Sequence, residues 1–240
     1  MSYATCSSVR AVYRLLIACL ILACIGHSHA QTQTQTQTQT QSQPSAQAVF
    51  QGFWVDMSRL NVQQQTFITP VLSAQFELIL RSDLPPLMVA FMKNIPVVVD
   101  PGLPVSATAA LFSTVHSSGR GVVKTSLVPM PSDKPVLLHE MLHAYDWNYW
   151  RFGKSEIQSA YAQAMNKNLY PQWSDSQWLL DAREFFAVSA TVYLVGRIKQ
   201  APFDCSALSA LQPEYVKFLA GLLGHHAQCD SVTSPSGVQR

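Results

Sequence analysis

From Gln63 to Arg81, apolar residues return every three or four positions, at Phe67, Val71, Leu72, Phe76, Ile79 and Leu80. That spacing predicts an amphipathic helix, which Pro85-Pro86 is expected to stop. Ahead of it, Val49, Phe50, Phe53, Trp54 and Val55 form a dense apolar cluster, so the folded domain is expected to begin near Ala48. Ile95 to Val99, with Asp100-Pro101-Gly102 after it, reads as a short buried strand and a turn. Between residues 121 and 128 the period changes to two. Val122, Lys124, Ser126 and Val128 point one way, and Val123, Thr125 and Leu127 the other. An alternation with a polar face reads as an edge strand, ended by Pro129 and Pro131. Ser132-Asp133 before Pro135 then marks a helix start with an N-cap and an early proline. The helix is predicted to run from Pro135 to Tyr149 or Trp150. Further helices are predicted over Ser155–Asn166, from Ser174-Asp175 to about Lys199, and over Pro213–Leu223, the last ended by Gly224. The order predicts an α+β fold: a small mixed sheet with an edge strand beside the 135–150 helix, then a mostly helical C-terminal half.

The first thirty residues stand apart from this pattern. Arg10 and Arg14 precede the apolar run LLIACLILACI (15–25), which is too short to span a bilayer, and Ser28-His29-Ala30 supplies small residues for cleavage. Residues 1–30 therefore read as a secretory signal peptide. Ile21-Leu22-Ala23-Cys24 also resembles a lipoprotein signal, with Cys24 as the acylated residue. Residues 31–47, QTQTQTQTQTQSQPSAQ, cannot bury apolar surface and are expected to be a disordered linker. Residues 48–240 are left as the folded domain.

Removal of the leader takes Arg10 and Arg14 from the sixteen basic residues, leaving fourteen against fourteen acids. A neutral chain gives no reason to expect nucleic acid, or a membrane beyond an anchor at Cys24. Of five cysteines only Cys205 and Cys229 remain, and a pair in an exported chain reads as one disulfide.

Chemistry concentrates in HEMLHAYDWNYW (139–150). On a helix, His139 and His143 share a face one turn apart and can grip one zinc ion (Zn2+), while Glu140 can reach a water there as general base. A zinc hydrolase uses three protein ligands, so a third is needed. A histidine ten residues after His139 would suit a metzincin, but that position is Tyr149. Glu184, in DAREFFAVSATVYLVGRIK among apolar neighbours, is the favoured third ligand; pairing with Arg183 is the alternative explanation of a carboxylate there. Asp181 and His225-His226 are weaker candidates, the histidine pair being expected in a solvated surface loop. The aromatic cluster Tyr145, Trp147, Tyr149, Trp150 and Phe152 reads either as core and lid packing or as a wall for substrate.

Three segments recur in the order seen in a known family. VHSSG (115–119), HEMLHAYD (139–146) and REFFA (183–187) resemble segments of the anthrax lethal factor catalytic domain and its smaller relatives, the secreted Pro-Pro endopeptidases. Pro213 to Leu219 resembles their closing helix, so the resemblance covers about residues 110 to 223. It implies a zinc endopeptidase with His139, His143 and Glu184 as ligands and Glu140 as base. One position departs: where the family usually has an oxyanion-stabilising tyrosine, seven residues before the third ligand, this chain has Gln177. Losing such a donor lowers rates by about two orders of magnitude. Tyr170, Tyr145 and His116 are the residues that could substitute.

The expected function is an exported, monomeric zinc metalloendopeptidase of gluzincin type, secreted or periplasmic, acting on a peptide or protein extended along the 121–128 strand. The alternative is a weak or inactive peptide-binding module on the same scaffold. A zinc-storage or sensing protein is a third reading.

Overall fold

The computed structural model describes residues 47–104, 109–131, 133–170, 181–198, 204–226 and 229. The chain divides into Met1–Ser42 and Gln43–Arg240, and everything described lies in the second unit. The proposed leader and Gln177 fall outside the described residues, as does the linker apart from Gln47, which opens the first strand.

Strands β1 (Gln47–Phe50) and β2 (Phe53–Asp56) form a hairpin. Its two-residue turn, Gln51-Gly52, has positive φ at both positions, the backbone that matches strand twist in tight hairpins. Helix α1 (Val62–Arg81) starts with a capping box: Asn61 Oδ1 accepts from Gln64 N, and Gln64 Oε1 accepts from Asn61 N, each at 2.9 Å. The two prolines after it do not leave a loop. Pro86 opens helix α2 (Pro86–Lys93), because an N1 proline loses no hydrogen bond and already has a helical φ. The chain continues through β3 (Val97–Val99), β4 (Ala110–Ser113) and β5 (Val122–Thr125).

The five strands lie in the order β1-β2-β3-β5-β4. β5 pairs parallel to β3 on one side and antiparallel to β4 on the other, so it is internal and β4 is the edge. The edge expected at residues 121–128 is therefore one strand away. A polar–apolar alternation reports a solvated sheet face, and β4 carries too weak a pattern to be seen in sequence. Gly121 permits the tight return from β4. Its φ is +80°, and a Cβ there would collide with the Phe112 ring and stand 2.7 Å from Ser113 O.

Helix α3 (Val136–Trp150) packs on β4, β5 and α1, and against α5 (Ala182–Val195). α4 (Ser155–Asn166), α6 (Cys205–Leu211) and α7 (Pro213–Leu223) complete a mainly helical C-terminal half, confirming the α+β class. Phe53 and Phe76, rings stacked at 4.4 Å, join sheet and α1 in one continuous core. α5 starts later than periodicity suggested. Asp181 has extended backbone and caps the helix, so no helix runs through it from Ser174-Asp175. Its end also comes early, at Val195, because Gly196 turns to positive φ. Cys205 and Cys229 form the expected disulfide, fastening the start of α6 to the chain beyond α7. No helix among the described residues is long and apolar enough to cross a membrane.

Candidate metal centre

α3 carries His139, Glu140 and His143, and its start is held from a distance. Pro135 occupies the N-cap position without a side-chain cap, so the cap expected at Ser132-Asp133 does not form as read; Ser132 lies outside the described residues. Gln75, fully buried on α1, supplies the bonds instead. Its Oε1 accepts from Leu137 N at 3.2 Å, and its Nε2 donates to Pro131 O at 3.1 Å and Lys134 O at 2.9 Å. An orphan helix donor is thereby satisfied across the core. A polar residue on the buried stripe of Leu72, Phe76 and Ile79 was the available signal.

α5 brings Glu184 to the same place. Asp181 caps the helix by accepting from Arg183 N at 2.9 Å and Glu184 N at 3.0 Å, and its second oxygen pairs with the Arg183 guanidinium. Arg183 thus neutralises Asp181, and Glu184 is left facing the histidines. Its Oε2 is 3.3 Å from His139 Nε2 and its Oε1 is 3.2 Å from His143 Nε2. The two Nε2 atoms stand 3.1 Å apart. One ligand atom from each of the three residues falls within 4.8 Å of the others, a group that could hold a metal ion. The donor set fits zinc: a tetrahedron with bonds near 2.0 Å has edges of about 3.3 Å, close to these separations.

Glu140 is buried beside this group. Burial pushes its carboxyl up to about 7; His139 pulls the other way, Glu184 adds to the rise, and a hydrogen bond from the Phe112 backbone lowers it. A carboxylate near neutrality can take and return a proton. Glu184 moves oppositely. Its burial favours the neutral form, but hydrogen bonds and charge from His139 and His143 outweigh that and hold it well below the usual carboxylate range. Asp146, one turn after His143, is 1% exposed, and its Oδ1 has no hydrogen-bond partner. Burial raises it to about 6 against the pull of His143 and Arg183.

The remaining candidates are placed elsewhere. His226 is buried with its ring edge-on to Tyr193 at 5.1 Å, so it is a packed residue, contrary to the solvated loop expected for the pair; His225 is exposed. The Tyr170 hydroxyl is buried and donates to Gln212 Oε1 at 2.8 Å. Tyr145 stacks on Tyr149 at 4.4 Å, and His116 contacts Ser118 through Nδ1 at 3.0 Å. None of these contacts is to His139, His143 or Glu184. Sequence reasoning missed Gln75, the edge strand β4 with Phe112, and the buried state of Asp146.

No family profile matches the chain, and no curated protein matches it. Among solved structures, the fold is similar to that of the Pro-Pro endopeptidase PPEP-2 from Paenibacillus alvei. The TM-score is 0.39 and the identity 16%, over 70% of this chain and 96% of that one. At those values the case for function rests on the side chains themselves.

Proposed function

We propose that the chain is an exported zinc-dependent endopeptidase, with His139, His143 and Glu184 holding the ion and Glu140 as general base. The observation that carries this reading is the convergence of two imidazole nitrogens and one carboxylate at tetrahedral edge distances, beside a buried glutamate poised near 7. Zinc, when bound, supplies Lewis acidity that makes water acidic and polarises a carbonyl. Glu140 takes the proton of the attacking water and passes it to the leaving amine. The peptide lies extended along β4, the edge strand beside α3 among the described residues, where backbone pairing fixes its register whatever its side chains. Export is supported by the leader-like N-terminus and the disulfide. Membership of the lethal factor-like peptidases rests on the segment matches given above. A second reading, a weak peptidase or binding module, is favoured by Gln177 in the place of the family tyrosine.

Cleavage of a proteome-derived peptide library, read by mass spectrometry with zinc present, is the deciding test. Cleavage by the wild type that disappears in Glu140→Ala, with zinc still bound, supports the peptidase. Equal cleavage by both proteins would refute the mechanism, and no cleavage by a zinc-loaded wild type would favour the binding module.

A further inference from the structure

The aromatic cluster after the metal motif separates into two groups. Tyr145, Tyr149 and Trp150 turn toward Phe91, Phe186 and Phe218 and are packing. Trp147 and Phe152 do something else. His139, His143 and Trp147 recur every four residues along α3, and Arg151 follows as the C-cap of that helix. Arg151 lies over the Trp147 ring at 4.4 Å from its centroid, Trp147 meets Phe152 at 5.3 Å, and Arg183 lies over Phe152 at 5.4 Å. The stack Arg151–Trp147–Phe152–Arg183 therefore starts about two turns beyond His143, passes through Trp147 one turn beyond it, and ends on the neighbour of Glu184.

Two further features mark this wall as more than packing. Arg151 and Phe152 both adopt left-handed backbone, at φ 52° and 61°, although Gly153 follows immediately and could take that conformation without strain. Each such residue costs roughly 1 kcal/mol or more, and with this backbone Arg151 and Phe152 both lie against Trp147. The two cations also differ in their partners. Arg183 is neutralised by Asp181, whereas Arg151 is exposed and has no carboxylate partner among the described residues.

We infer that Arg151, held on Trp147, is a specificity-determining residue that reads an acidic side chain of the substrate. This inference rests on the peptidase reading. Trp147 and Arg151 stand about one and two helical turns beyond His143, roughly 5 and 11 Å, and an extended peptide advances about 3.3 Å per residue, so the wall faces side chains two to four residues from the scissile bond. An Asp or Glu there meets a guanidinium already desolvated on one face by the indole and fixed in position.

The test compares library cleavage profiles of the wild type, Arg151→Ala and Arg151→Glu, all with zinc. The wild type should enrich Asp and Glu at one position within four residues of the cut. On a peptide carrying Glu there, Arg151→Ala should lose about three- to fivefold in kcat/KM, as for an exposed ion pair, and Arg151→Glu should prefer Lys by about tenfold. The same peptide with Gln should be cut equally by all three. A readout independent of turnover is calorimetric binding of the Glu and Lys peptides to Glu140→Ala with and without Arg151→Glu, whose order should reverse. No acidic enrichment, or equal losses on the Glu and Gln peptides, overturns the inference while leaving the peptidase standing. Absence of any wild-type cleavage removes the peptidase reading and this inference with it.

Discussion

Glu184 illustrates how one side chain acquires its role from its neighbours. Asp181 takes Arg183, and the helix start aims the freed carboxylate at two imidazoles. Glu184→Gln keeps the shape but loses the charge, and is expected to abolish stoichiometric zinc binding, measured by metal analysis after dialysis, with the fold retained. Asp146 makes a separate prediction. Its buried carboxyl titrates near 6 rather than 3.8. A raised carboxyl stabilises the fold below the unfolded value, and that contribution is lost as pH rises through about 6. Near pH 7.5, metal-free Asp146→Asn should therefore be more stable than the wild type by up to about 3 kcal/mol, with the advantage gone below pH 4. Urea unfolding at the two pH values checks this. Stability of the variant that fell at pH 7.5 would show that the carboxylate is satisfied in a way the structure does not display. The grouping of His139, His143 and Glu184 was legible in sequence because histidine and glutamate are scarce in this chain. Asp146 was not, because its meaning lies in the burial of an atom without a partner.

Helix α3, which carries both histidines of the candidate centre, is also only as good as its attachment. Gln75 makes three hydrogen bonds around the start of α3, and each contributes about 1 kcal/mol, with more lost where a buried partner is left unsatisfied. Gln75→Leu is expected to destabilise the fold by about 2–4 kcal/mol and to weaken zinc affinity, because His139 sits in the first turn. Denaturant unfolding and chelator competition measure the two effects. Gly121→Ala tests the sheet edge. The added methyl meets the Phe112 ring and Ser113 O at a positive φ, so β4 must shift, at a cost of roughly 2 kcal/mol or more. Because the Phe112 backbone hydrogen-bonds to Glu140, activity should fall further than stability explains, which kcat/KM measured well below the melting temperature would show. Helices α1, α3, α4 and α7 were readable from their 3.6-residue periodicity. β1, β2 and β4 were not, since none is embedded in a longer alternating run like the one that extends β5 to residue 128.

The domain as a whole does not depend on a metal for its core. Phe53, Phe76, Leu138, Met141, Phe185, Phe186 and Leu219 are fully buried in one continuous cluster, and the disulfide closes a 24-residue separation. Chelation is therefore expected to abolish peptide cleavage while leaving cooperative unfolding intact, whereas a structural zinc protein would lose its fold. Differential scanning calorimetry with and without chelator separates the two. Reduction of Cys205–Cys229 should lower stability by about 3 kcal/mol, on the model in which the link restricts the unfolded chain.

The chain's own order of residues determined the fold class, the long helices, the disulfide partners and the three side chains of a group that could hold a metal ion. Those features depend on composition and on short-range periodicity, which a helix expresses within a few residues. Tertiary packing assigned the sheet edge to β4, gave the start of α3 to Gln75, released Glu184 from Arg183 and split the aromatic run into core and wall. Each of these is a contact between groups far apart in the chain, and its energy exists only once distant backbone and side chains share the same dry space.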